Sequence, residues 1–183
     1  CIKQLRKIGI TEPNRFKAIE TENGIVGCGM SHLQVIKQAK EKGWGHVIVF
    51  EDDIDIIEPK LLKIKINNLM NSDWDVLMLG GNNFKPFQQI DNNCIKVTKC
   101  FTTTAYIIKE HYYDTWIQNL QEGLNCLLRT NDRQYSLDLY NHLLQMKDKW
   151  YLIIPICVIQ KRSHSDIENH IVDYQDLMLN YNK

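Results

Sequence analysis

An α/β fold with a mostly parallel central sheet flanked by helices is what the sequence predicts, and three observations predict it. Helical and strand-like periodicities alternate along the chain. A near-continuous apolar run, residues 46–50 (His-Val-Ile-Val-Phe), follows directly on a helical pattern, as a central parallel strand buried on both faces would. A second such run, residues 74–79, is closed by Gly80 and Gly81. The 183 residues suit one domain over 1–183, since domains commonly hold about 100–200 residues.

The elements follow in order. Ile2, Leu5 and Ile8 at helical spacing, with Gly9 behind them, read as the end of a helix. Residues 13–21 read as loop and short strand. Ser31 is expected to cap a helix running to Lys42, with Leu33, Ile36 and Ala39 on one face and Gly43 after its end. The two buried strands come next, separated by an acidic turn. Residues 82–93 are polar, contain Pro86 and read as an exposed loop. Strands are expected near 94–98 and 102–108. A helix then carries Tyr113, Trp116, Ile117, Leu120 and Leu124, and another covers 137–147. Residues 150–159 form an apolar strand whose Pro155 points to an edge or to the end of pairing.

Composition excludes several classes. Twenty-two basic and twenty-two acidic residues cancel, so no global field draws nucleic acid or an anionic membrane. Apolar stretches stay far below the roughly 20 residues that span a bilayer. No basic-then-apolar leader opens the chain, although it begins at Cys1, as a processed chain or an internal start would. The six cysteines contain no CxxC pair, which argues against a thiolate zinc site and for reduced, buried thiols in a cytoplasmic setting. Cys94 and Cys100, on either side of a short apolar turn, are the pair that an oxidising compartment would join.

Glu51, Asp52 and Asp53 end the first apolar strand. Like charges beside a core repel and are poorly solvated, and ligands of open α/β sheets bind beyond strand C-termini. Alternation along an extended chain sends Glu51 and Asp53 to one side and Asp52 to the other. A hard divalent cation held by oxygen ligands would relieve the repulsion and could bridge a diphosphate. A solvated acidic turn fits the same triplet. Residues 160–167 pack Lys161, Arg162, Ser163, His164, Ser165 and Asp166 behind another buried strand. Lys161 and Arg162 suit a diphosphate, and His164 a metal or a phosphate, while a polar surface loop is the plain reading. Asp138 is either a general base for an acceptor hydroxyl or a first-turn helix residue favoured by the dipole. His32, after Gly27-Cys28-Gly29-Met30-Ser31, is placed near the site by those glycines.

Taken together, residues 27–32 (Gly-Cys-Gly-Met-Ser-His), the following helix and residues 47–53 ending in Glu-Asp-Asp resemble glycosyltransferase family 25, which includes lipooligosaccharide and procollagen galactosyltransferases. Residues 74–80, 104–108 (Thr-Ala-Tyr-Ile-Ile), Pro155, Gln160 and 163–167 extend the resemblance over nearly the whole chain. It implies a GT-A-like Rossmann-type sandwich and an inverting transfer of a hexose, galactose first, from a UDP-sugar with Mn²⁺ or Mg²⁺. The acceptor it implies is a glycan or a collagen-like hydroxylysine. Glu51, Asp53 and His164 would then hold the metal, Asp52, Lys161, Arg162, Ser165 and Asp166 the donor, and Asp138 would be the base. Family members begin with a strand carrying Ile-Asn-Leu that this sequence does not contain, which favours a shortened chain or, alternatively, a degenerate binding module. A nucleotidyltransferase also places carboxylates at strand ends. Abundant Ile, Asn and Lys suggest an AT-rich genome, that of a large DNA virus, a protist or an AT-rich bacterium.

Overall fold

The computed structural model describes residues 1–165 and 170–183, without the side chain of His164. In chain order the helices are α1 (Ile2–Lys7), α2 (Gly24–Glu41), α3 (Pro59–Leu69), α4 (Tyr113–Thr130), α5 (Leu137–Tyr140), α6 (His142–Lys147) and α7 (Gln175–Leu179). The strands are β1 (His46–Phe50), β2 (Ile54–Ile56), β3 (Val76–Asn83), β4 (Phe87–Gln89), β5 (Cys94–Val97), β6 (Cys100–Lys109), β7 (Trp150–Ile153), β8 (Val158–Gln160), β9 (Ser163–Ser165) and β10 (His170–Val172).

Six strands make the main sheet in the order β1-β6-β3-β7-β5-β4, and β2–β8 and β9–β10 form two small ribbons. The α/β class holds. The mostly parallel sheet does not: among the described residues only β3 and β7 pair parallel, and every other pairing is antiparallel. Connectivity explains the difference. Parallel neighbours need a crossover of a dozen or more residues, usually helical. The chain between β3 and β7 contains α4, α5 and α6, whereas β4, β5 and β6 follow β3 with no helix between them.

Among the described residues β1 is likewise an edge strand, paired with β6 alone, rather than a central one. Its apolar run has another cause. Val47 and Val49 pack into the cluster on one face of the sheet, and Ile48 and Phe50 into the cluster on the other. Both faces are covered while one edge stays open, so the strand has the composition of an interior one.

The first of those clusters lies under α2 and α4, where Ile36, Trp116 and Leu120 meet Met78, Tyr106 and Trp150. The second lies under α1, α3 and the β2–β8 ribbon, where Leu5, Leu62 and Ile54 meet Leu77, Ile107 and Val158. The result is three layers. All six cysteines are free. Cys94 and Cys100 belong to opposite clusters.

Local departures have identifiable causes. The helix expected to begin at Ser31 begins at Gly24, where the Asn23 side chain accepts from Ile25 N at 3.0 Å and caps it. Ser31 is two turns inside; its hydroxyl donates to the Gly27 carbonyl at 2.7 Å and accepts from Ile19 N at 2.9 Å. Gly27 leaves room for that passing segment, because a methyl there would strike the Ile19 carbonyl. β3 runs on through the two glycines to Asn83, so the start of the expected 82–93 loop is buried strand, and β4 occupies part of the remainder. The helix expected over 137–147 is split at Asn141, whose carboxamide oxygen accepts from Trp116 Nε1 at 2.8 Å and Asn119 Nδ2 at 3.2 Å. The apolar stretch over 150–159 is two strands, β7 and β8, separated by a cis Ile154–Pro155 bond.

Gly80 sits where β3 passes β8, and a methyl on it would collide with the Val158 carbonyl. Gly80→Ala should therefore destabilise the protein by about 1–3 kcal/mol, the usual cost of overpacking a core. Urea unfolding measures this, and a midpoint unchanged from the parent would contradict the close packing.

Candidate active site

The site grows from the end of β1. There Glu51 N still donates to Thr104 O at 3.0 Å, continuing the β6 pairing, before the chain turns at Asp52 and Asp53 and re-extends as β2. The turn cancels the simple alternation expected of an extended chain. Glu51 is directed toward α2 and β6: Thr103 Oγ1 donates to its Oε1 at 2.9 Å, and His32 Nε2 lies 3.5 Å from the same oxygen. Asp53 is directed toward the end of β8 and the start of β9: its Oδ2 accepts from Gln160 Nε2 at 2.7 Å and from Ser163 Oγ at 3.4 Å. Its backbone carbonyl accepts from Lys161 N at 2.8 Å. Asp52 is exposed between them.

His32 is buried, and its Nδ1 lies 2.7 Å from the hydroxyl of Tyr106, itself buried in the core. Burial disfavours the charged imidazolium. Tyr106, Cys28 and Glu51, which face the ring, outweigh it and hold the pKa well above the usual histidine value. Cys28, one helical turn before His32, completes a group whose Sγ, imidazole nitrogen and Glu51 oxygen lie within 4.8 Å of one another.

Asp53 has the opposite surroundings. Burial is the largest influence and raises its pKa; the Gln160 hydrogen bond opposes this, and the negative charges of Glu51 and Asp52 add to it. Among the described residues its Oδ1 is buried with no hydrogen-bond partner. Leaving a buried carboxylate oxygen unsatisfied costs about 1–3 kcal/mol. These features fit a hard divalent metal at this oxygen.

The remaining expected residues divide into two groups. Lys161 is half-buried beside Asp53, Arg162 is exposed, and Ser165 ends β9. The side chain of His164 and the whole of Asp166 lie outside the described residues. Asp138 occupies the first turn of α5, where its Oδ1 accepts from Ser136 Oγ and Leu139 N, both at 3.0 Å. α5 packs against α4, β6 and α2, on the face of the sheet that carries His32 and Tyr106.

The sequence reading did not single out Thr103, Tyr106, Gln160 or Cys28 for a role at the site. Cys28 and His32 had a detectable signal, an i, i+4 spacing that shares a helix face. A helix begun at Ser31 leaves Cys28 outside it and hides that relation.

Asp53→Asn removes the buried charge while keeping an oxygen that can accept from Gln160. A carboxyl whose folded pKa is raised destabilises the fold once ionised and is neutral in this respect at low pH. In metal-free buffer the variant should therefore melt above the parent at neutral pH, and the gap should close as pH falls below the ordinary carboxylate range. A parent that is the more stable at neutral pH would refute the reading of Asp53.

No helix among the described residues is long and apolar enough to cross a membrane. No curated protein matches the chain. The sequence model of glycosyltransferase family 25 (LPS biosynthesis protein) matches residues 13–130. That span is well over half of the chain and takes in α2, β1, Glu51–Asp53, Thr103 and Tyr106, while Asp138 and the segment after β8 fall beyond it. With the acidic end of β1 bound on one side to α2 and on the other to β8, and with that match across it, the chain belongs to glycosyltransferase family 25.

Proposed function

We propose that the protein transfers a hexose, with galactose the first candidate, from a UDP-sugar to a hydroxyl of a saccharide acceptor, inverting the anomeric configuration. The family's connection with LPS biosynthesis favours a glycan over a collagen-like hydroxylysine. One observation carries the reading: the unpaired, buried Oδ1 of Asp53 at an acidic strand end.

Asp53, with Asp52 beside it and Glu51 adding negative charge, would hold Mn²⁺ or Mg²⁺, and His164 is the further ligand that the resemblance suggests. The cation's contribution is to neutralise the diphosphate leaving group. Lys161 and Arg162 supply the positive charge of this chain's own side chains on the diphosphate side, with Ser165 and Asp166 on the same segment. Asp138 takes the proton of the acceptor hydroxyl. The acceptor oxygen then bonds to the anomeric carbon as the bond from that carbon to the phosphate oxygen breaks, and UDP leaves from the opposite face.

Titration calorimetry of UDP with and without Mn²⁺ tests the donor half. Binding should require the metal and vanish in Asp53→Asn; metal-independent binding, or a variant that binds like the parent, would overturn the assignment. UDP binding with no turnover on any UDP-sugar would instead indicate a binding module. For the acceptor half, Asp138→Asn should lower kcat by roughly 10²–10⁴-fold with UDP affinity unchanged. Parent-like turnover would remove Asp138 from the mechanism.

A further inference from the structure

The Cys28, His32 and Glu51 group has a ligand chemistry unlike that of Asp53. A thiol, an imidazole nitrogen and a carboxylate oxygen converge within 4.8 Å of one another, from two positions of α2 and from the end of β1. The helix sets the first two one turn apart, and the β1–β6 pairing sets the third. We propose that this triad binds a zinc-class transition-metal ion, through Cys28 Sγ, His32 Nε2 and Glu51 Oε1.

Four features support the assignment. Thiolate and imidazole favour zinc over the hard cations that suit an all-oxygen site. A thiolate and a carboxylate together cancel a divalent charge, so the half-buried site would enclose no net charge. The ring's other nitrogen, Nδ1, lies 2.7 Å from the Tyr106 hydroxyl, the outer contact that fixes the tautomer and orientation of a ligating histidine. Thr103 Oγ1 donates to Glu51 Oε1 itself at 2.9 Å and so fixes the carboxylate at the ligating oxygen. Three protein ligands leave one position for water or a substrate oxygen, as in zinc sites that are not closed. Binding would release two protons to solvent, one from the Cys28 thiol and one from Nε2 of the His32 imidazolium, and would tie Glu51 to α2, leaving Asp53 to the hard cation.

Cobalt(II) replaces zinc and reports its ligands by absorption. Titrated into the Cys1→Ser protein, which removes an exposed competing thiol, it should produce visible d–d bands and a near-ultraviolet thiolate charge-transfer band. The charge-transfer band should disappear in Cys28→Ser, and the affinity should fall by at least about tenfold in His32→Gln. Tyr106→Phe, which removes only the outer contact, should weaken zinc binding by roughly 10–100-fold. Asp53→Asn should leave the cobalt spectrum unchanged, so the outcome is separate from that of the UDP titration. Near-ultraviolet circular dichroism of the tryptophans checks that each variant is folded. Zinc absorption fine structure on the unmutated protein should show sulfur at about 2.3 Å. Absence of a sulfur shell there, or a charge-transfer band that survives Cys28→Ser, would overturn the proposal.

Discussion

The line from buried Tyr106 and His32 to the partly buried Glu51 is the interaction on which the candidate site depends. Its links are 2.7 Å from the Tyr106 hydroxyl to His32 Nδ1 and 3.5 Å from His32 Nε2 to Glu51 Oε1. It joins the middle of the sheet, the buried face of α2 and the acidic end of an edge strand. A polar line of this kind is tolerated in a core only when its members satisfy one another. Its inner end is held by packing: Tyr106 meets Trp116 with centroids 4.7 Å apart, and Trp116 meets Trp150 at 5.0 Å. The aromatic cluster thus holds the tyrosine, the tyrosine orients the histidine, and the histidine positions Glu51.

This arrangement also separates charges that would otherwise crowd one another. Three successive carboxylates at a strand end would repel strongly if all faced one cavity. The turn at Asp52 and Asp53 sends Glu51 toward α2 and Asp53 toward Gln160 and Ser163, and leaves Asp52 in solvent. One carboxylate thereby faces His32 and Thr103, and another keeps a buried oxygen with no partner among the described residues. That asymmetry is the chemical content of the acidic end of β1. The antiparallel sheet contributes to it, since β6 lies between β1 and β3 and brings Thr103 and Tyr106 alongside Glu51 and His32.

Much of the fold was legible because its signals are local. The apolar run of β1, the heptad-like face of α4 and the glycine after α2 each reflect a period or a stop that neighbouring residues define. The acidic triplet stood out as a candidate because carboxylates beside a core need a reason. What was misread depends on partners distant in sequence. Whether β1 lies at an edge is set by where residues 100–109 return, and the course of the turn after Glu51 is set by Gln160 and Ser163, more than one hundred residues away. The start of α2 is a closer case: Asn23 caps it, yet Gly27 and Gly29 inside a helix disfavour that assignment by propensity. They are accommodated because the Ile19 carbonyl and Leu124 pack against them.

The sequence by itself determined the α/β class, the order of most elements, the acidic terminus of β1 and the resemblance to family 25, all of which reside in short windows of residue type and spacing. Only the tertiary structure decided the antiparallel sheet, the divergence of Glu51 from Asp53 and the convergence of Cys28, His32, Glu51 and Tyr106. The reason is physical: periodicity specifies which face of an element is apolar, whereas direction, register and side-chain partners follow from how separate elements pack together.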